Sequence, residues 1–227
     1  MTEPIKWDII PPEIKNDNFY NLIIKVIQTD KSIKNILEIG ASSGDGSTEA
    51  FMIGIMDRDV QLFSVEVCTE RFEILKFRYP NDTNFHPYNV SSISVDSFPS
   101  KEKITKFYNT TTTYLNRYDL NLVLGWYDQD IKYVVNNNIQ QNGIQMIKEQ
   151  NNIQHFDCVL IDGSEFTGSA ELDLVIGAKY IMLDDIYTFK NYEANQRLKN
   201  DSRYICLIED YKTRHGFAIY MLKPNKE

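Results

Sequence analysis

The stretch ILEIGASSGDGSTEA, residues 36–50, joins an apolar run ending at Glu38 and Ile39 to three glycines, Gly40, Gly44 and Gly46, and then to residues that can start a helix. A strand that feeds a helix through a glycine-rich turn gathers free backbone N–H groups and the positive end of a helix at one crevice, which suits a nucleotide-like cofactor. Each glycine has an expected task. Gly40 permits a sharp exit from the strand, Gly44 lets backbone approach a ligand, and Gly46 allows the helix to pack closely on the strand. Ser47 and Thr48 offer helix caps, and Glu49 adds negative charge to the first turn. The same letters also fit an ordinary strand-to-helix turn, so the surrounding sequence has to decide.

Outward from this turn, strand-like and helix-like segments alternate. Phe19, Leu22, Ile23 and Val26 recur at helical spacing and predict a lead-in helix over Glu13–Thr29. The first strand is read over Asn35–Ile39, followed by a helix over Ser47–Met56, a strand over Val60–Val67, a helix over Thr69–Phe77 and a third strand over Asn84–Val90. Apolar runs at Asp157–Ile161 and Lys179–Leu183 give strands four and five. Arg203–Asp210 and Phe217–Leu222 form a closing pair with its turn at His215-Gly216. Seven strands alternating with helices predict an α/β fold. The span between strands three and four, roughly sixty residues, exceeds a single crossover and is read as an insertion over 100–141. Helices are expected at Ser100–Tyr108, Gln129–Asn136 and Asn142–Glu149, with an apolar and aromatic patch, LVLGWY, over Leu122–Tyr127. Such a segment can serve as a substrate lid, as the surface of a homodimer, or as plain structural elaboration. The chain reads as a single domain over 1–227, with 1–32 as its helical lead-in.

Composition bounds the function. With 227 residues and 42% hydrophobic content, the chain can bury one full core. A net charge of −8 and the absence of basic runs interleaved with aromatics disfavour a nucleic-acid partner. Prolines and acids stand in the N-terminal MTEPIKWDIIPPE where an apolar targeting core would be, and no stretch is long enough to span a bilayer. The odd, scattered cysteines, Cys68, Cys158 and Cys206, read as reduced residues in or beside buried strands of a cytoplasmic protein.

The acids at the carboxyl ends of strands four and five carry the chemistry. Strand four delivers Asp162 and, three residues on, Glu165; strand five delivers Asp184 and Asp185. Carboxylates on adjacent strand ends repel one another unless a cation neutralises them, and hard oxygen ligands suit Mg²⁺, with Mn²⁺ or Ca²⁺ as alternatives. The competing reading makes Asp162 and Asp184 loop caps and pairs Asp185 with Lys190 or Arg214 at the surface. Lys190 is expected to be solvated and His215 to serve the turn, while His86 and His155 have no evident partners.

Two cofactor families use a turn of this kind. The segment Gly40–Gly46 is close to the nicotinamide turn of short-chain dehydrogenases, but no Tyr-x-x-x-Lys occurs in the chain. Tyr187 and Lys190 have the wrong spacing, and the Asn-Asn-Ala-Gly segment is missing. By contrast, Glu38-Ile39-Gly40, three residues, Gly44, then Gly46-Ser47-Thr48 resembles the first motif of class I S-adenosylmethionine-dependent methyltransferases. Glu66 ends the second strand 26 positions after Gly40, against about 20 for the acid that holds ribose hydroxyls. The resemblance implies a Rossmann-like, mostly parallel seven-stranded sheet with helices on both faces and a C-terminal antiparallel hairpin. It implies S-adenosylmethionine as cofactor, held by Gly40, Gly44 and Glu66, then Glu38 and Ala41, with Ser42 and Ser43 reaching the methionine carboxylate. Asn89–Ser92 fall where adenine contacts often lie in this fold.

An aspartate after strand four and an Asp-Asp pair after strand five are similar to the metal-dependent small-molecule O-methyltransferases of the catechol and the macrolide and aminocoumarin sugar types. That resemblance implies Asp162, Asp184 and Asp185 as ligands of Mg²⁺, and a base that lowers the barrier to attack by an acceptor hydroxyl. The chain departs at the base. The catechol type has lysine three residues after the first aspartate and this sequence has Glu165, so Glu165, Asp185 or a lid residue would take that role, beside Asp162 in the catalytic set. The expected function is O-methylation of a small hydroxylated acceptor, a sugar or glycan-linked metabolite. The alternatives are a non-catalytic binding or regulatory domain and, less favoured, a nucleotide-dependent oxidoreductase.

Overall fold

Seven strands form a single sheet in the order β3-β2-β1-β4-β5-β7-β6, as described over residues 11–224 by a computed structural model. The reading of the first ten residues as lacking a targeting core lies outside the described residues. Strands β1 (Asn35–Ile39), β2 (Gln61–Val65), β3 (Phe85–Tyr88), β4 (Cys158–Ile161) and β5 (Tyr180–Asp184) run parallel. Strand β7 (Phe217–Leu222) is antiparallel to β5, and β6 (Tyr204–Asp210) pairs antiparallel with β7 at the edge. The expected mostly parallel sheet with a closing hairpin is therefore present.

The central strands are buried along almost their whole length, which is the pattern of a sheet covered on both faces. Alternate residues serve opposite layers. Leu37, Val159 and Ile181 join one core with Ile144, Ile147, Leu172 and Leu198, from α6 (Gly143–Gln150), α7 (Gly168–Val175) and α8 (Phe189–Asn200). Ile36, Leu62, Leu160 and Met182 join the other, with Phe19, Ile23 and Ile27 from α1 (Asn18–Thr29), Phe51 from α2 (Ser47–Ile55) and Leu75 from α3 (Thr69–Arg78). The order reverses between β1 and β4, so the carboxyl ends of those strands open a crevice at the switch point.

Several boundaries moved for local reasons. Helix α1 begins at Asn18 because Asn16 is left-handed (φ 63°) and the Asp17 carboxylate accepts from Tyr20 N–H at 2.8 Å as the cap. The patch at Leu122–Tyr127 and the helix expected at Gln129–Asn136 are one element, α5 (Leu120–Asn136), started by Asp119. With α4 (Lys101–Thr110) it forms the expected helical insertion between β3 and β4. Ser47 and Thr48 do not cap α2: Gly46 holds the cap position, without a side-chain bond. Cys68 and Cys158 are buried, whereas Cys206 is exposed on the edge strand β6, and all three are free thiols. No helix among the described residues is long and apolar enough to cross a membrane.

Candidate functional site

A cavity of about 560 Å³ lies over the carboxyl ends of β1, β4 and β5, a size typical of small-molecule sites. One half of it is built from the glycine turn. Gly40 has φ +90°, and a Cβ there would sit 1.9 Å from the Asp162 carbonyl oxygen, so β1 and the loop after β4 meet too closely for any side chain. Ser42 is left-handed (φ 50°), and its N–H donates to Glu66 Oε2 at 2.7 Å. The other carboxylate oxygen of Glu66 accepts from Cys68 N–H at 2.7 Å. Burial pushes the Glu66 carboxyl above its ordinary range, while these backbone donors and Arg71 pull it back.

Of the expected cofactor residues, Gly40, Ala41, Ser42, Ser43 and Glu66 line the cavity, and Glu38 and Gly44 do not. Glu38 is fully buried beneath α2, where its carboxylate accepts from Ser47 Oγ at 2.6 Å, Thr48 Oγ1 at 2.8 Å and Ser64 Oγ at 2.6 Å. It clamps β1, β2 and the start of α2 from behind the turn. Gly44 makes room for α3, since a Cβ would meet Leu75 Cδ1 at 2.8 Å; Gly46 makes room for Ile14, at 2.7 Å, rather than for the strand. Val90, Ser91 and Ser92 line the cavity after β3, and Asn89 braces it by donating to the carbonyls of Glu66 and Val67.

The acidic half is more densely paired than the sequence suggests. Asp162, Asp184 and Asp185 each bring a carboxylate oxygen within 4.8 Å of the others. Lys190, from the first turn of α8, is not solvated: its side chain is 11% exposed, and its ammonium bonds Asp162 at 2.8 Å and Asp185 at 2.7 Å. Burial opposes its charge, but the surrounding carboxylates outweigh that and hold it protonated well above the ordinary lysine range. Arg214 grips Asp184 through both carboxylate oxygens, at 2.7 and 2.6 Å, and reaches Asp17 at 2.8 Å. His215 Nδ1 lies 3.3 Å from Asp185 and its ring packs on Tyr114. Hydrogen bonding to Asp185 raises the imidazole above its ordinary value.

These contacts revise individual roles. Glu165 accepts from Phe189 N–H at 2.8 Å and Thr188 Oγ1 at 3.2 Å, so it caps α8, and burial lifts its carboxyl to about 7. Burial also lifts Asp162, to about 6, against the pull of Lys190. Asp185 is desolvated too, yet Lys190 and His215 hold it below the usual carboxylate range. Its backbone is left-handed, φ 54°, a conformation that Asp tolerates better than most residues and that aims its side chain back toward Lys190. All three aspartates, whose carboxylates lie close enough together to hold a metal ion, are thus engaged by the chain's own cations.

The insertion covers the opening. Tyr114, Arg117, Tyr118 and Trp126 line the cavity from above, and Ile104, Leu115 and Val123 form a small core with Phe166 and Phe189. Helix α5 is tied down at two points: Tyr133 accepts from Thr69 N–H at 2.9 Å, and Asp130 accepts from Ser164 Oγ beside the acidic cluster.

Solved structures share this architecture. An O-methyltransferase from Bacillus cereus in complex with S-adenosylhomocysteine is 13% identical, with 94% of this chain and 84% of that one covered at a TM-score of 0.55. A Geobacter sulfurreducens methyltransferase is 10% identical, with 93% and 81% covered at 0.56. A Klebsiella pneumoniae protein provisionally named an O-methyltransferase is 12% identical, with 95% and 84% covered at 0.58. At these identities the likeness is one of fold. The sequence matches no family model and no curated protein.

Proposed function

We propose that this protein is an S-adenosylmethionine-dependent methyltransferase that modifies an oxygen of a small hydroxylated acceptor. The observation that carries the reading is the lock between the glycine turn and the acid of β2: Ser42 N–H on Glu66, at the switch point of the sheet. This fixes a carboxylate on the cavity wall where it could accept from ribose hydroxyls. The start of α2 has no side-chain cap, and Gly46 and Ser47 face the cavity, so its free N–H groups suit the methionine carboxylate. Bound there, S-adenosylmethionine would supply a methyl group on a sulfonium, an activated carbon that needs alignment more than acid–base help.

The acceptor belongs over the acidic half, under the insertion. Tyr114, Tyr118 and Trp126 offer flat apolar faces, which suit an aromatic ring or the apolar face of a sugar. With Glu165 committed to α8 and Asp162 and Asp185 committed to Lys190, His215 is the ionisable side chain on this wall placed to take the acceptor's proton. Its Nε2 has no partner among the described residues.

Calorimetry and thermal shift with S-adenosylmethionine, S-adenosylhomocysteine and NAD(P) test the reading. S-adenosylhomocysteine should bind and stabilise the protein. Glu66→Ala should weaken it about tenfold to a hundredfold, the worth of hydrogen bonds to a charged group. His215→Gln should slow transfer while sparing donor binding. Stabilisation by NAD(P) alone would sink the methyltransferase reading.

A further inference from the structure

Lys190 bridges two carboxylates that the sequence pattern assigns to a metal ion, and the third is held in a two-point grip by Arg214. Three aspartates thereby face three basic side chains, Lys190, Arg214 and His215. We propose that the Lys190 ammonium is the resident cation of this site, taking the place of a divalent ion, so that the acidic cluster works without metal.

Three observations support this. First, the position is already filled: the ammonium nitrogen lies 2.8 and 2.7 Å from Asp162 and Asp185, and a Mg²⁺ ligated by those oxygens at about 2.1 Å would overlap it. Second, the lysine is built in. It belongs to the first turn of α8, whose start is fixed by Glu165 accepting from Phe189 N–H and by Asn191 donating to the carbonyls of Ile161 and Asp184. Those bonds tie the helix to the same strand ends that present the aspartates. Third, the competing carboxylate is unavailable. Asp184 is 3% exposed and spends both oxygens on Arg214, so a divalent ion that displaced Lys190 would have two of the three aspartates as ligands unless it broke the Arg214–Asp184 pair as well. Two of the three ammonium N–H donors are engaged by Asp162 and Asp185, and the third is left for an oxygen in the cavity that Lys190 lines.

The last point rests on the methyltransferase reading; the exclusion of metal does not. Mn²⁺ binding, followed by electron paramagnetic resonance and by Mn²⁺-dependent thermal shift, separates them. The native chain should show no saturable site. Lys190→Ala should gain one, binding Mn²⁺ at least about tenfold more tightly, because removal of the ammonium frees oxygens suited to a hard cation. Lys190→Arg, which keeps the charge, should not gain it. Should Lys190→Ala fold poorly in chelator, Mn²⁺ should raise its melting temperature and leave that of the native chain unchanged. Saturable Mn²⁺ binding by the native chain that Asp162→Asn removes would overturn the proposal, as would a Lys190→Ala variant that neither binds Mn²⁺ nor is stabilised by it. S-adenosylhomocysteine binding measured on the same samples reports on the donor site alone, so its failure counts against the proposed function and not against the resident lysine.

Discussion

Gly40 is where one hydrogen atom decides whether the crevice can form. Its φ of +90° is a conformation that only glycine adopts readily, and the space a methyl group would need is filled by the Asp162 carbonyl at 1.9 Å. Gly40→Ala should therefore cost on the order of 3 kcal/mol or more, from backbone strain and overpacking together. Urea unfolding should show it as a lower midpoint at unchanged slope, and a loss under 1 kcal/mol would contradict the close approach. This glycine could be read from the sequence because its requirement is local, a sharp exit from a strand. Gly44 and Gly46 were harder: their neighbours, Leu75 and Ile14, come from α3 and the lead-in, which strand-and-turn spacing does not locate. Lys190 was legible as a surface partner of Asp185, and that pair is present, but not as a buried bridge to Asp162, since a single lysine among polar residues reads as solvated. Only the surplus of acids at two neighbouring strand ends hints that a cation must be drawn in.

At the scale of elements, α5 is coupled to the floor of the site through Asp130. Burial raises its carboxyl from 3.8 to about 6, with the Ser164 hydroxyl pulling the other way. A carboxyl whose folded pKa exceeds its unfolded value holds its proton more tightly in the fold, so its contribution falls as pH rises from about 4 to about 6. Above that window the penalty is complete. Asp130→Asn keeps an oxygen for Ser164 and removes the charge, so it should stabilise the protein at pH 7.5 by on the order of 2 kcal/mol and by little at pH 4. Thermal melts of both proteins across that range check this; an equal effect at both pH values would refute it. The insertion was legible as helical and as a lid, but not as one long helix, because the apolar LVLGWY contrasts with the polar turns that follow it in α5. Helices α7 and α8 escaped a reading by periodicity, since buried Glu171, Asn191 and Asn195 interrupt their apolar faces. The strands, by contrast, are continuous apolar runs, and burial on both faces is what makes them so.

For the whole molecule, Arg214 joins segments that the sequence keeps far apart. Its guanidinium, in a turn of the closing hairpin, bonds Asp17 at the start of α1 and Asp184 at the end of β5. The sheet order puts β7 beside β5, which is what brings the hairpin turn over the crevice; spacing along the chain shows the hairpin but not the landing point of its turn. Asp184 is 3% exposed, so without Arg214 a charge would remain in the core, and among the described residues the nearby cation is Lys190, already shared by Asp162 and Asp185. Breaking a buried pair in this one-sided way typically costs about 3–5 kcal/mol, a large part of the 5–15 kcal/mol that holds a domain together. Arg214→Met should thus lower stability by that amount at neutral pH. The sign of its pH dependence follows from the carboxylate left behind. Burial, with Asp162 and Asp185 beside it, already raises the Asp184 carboxyl in the native fold against the pull of Arg214, and loss of the guanidinium raises it further, so the deficit is full above the variant's folded pKa and shrinks as pH falls below it. Adding Asp184→Asn should recover part of the loss at pH 7.5 and remove its pH dependence. Chemical denaturation of the single and double variants at pH 7.5 and 5 decides the matter: a deficit that is the same at both pH values, or that persists undiminished in the double variant, would mean that Arg214 stabilises the fold through its packing and its bond to Asp17 rather than by neutralising the end of β5.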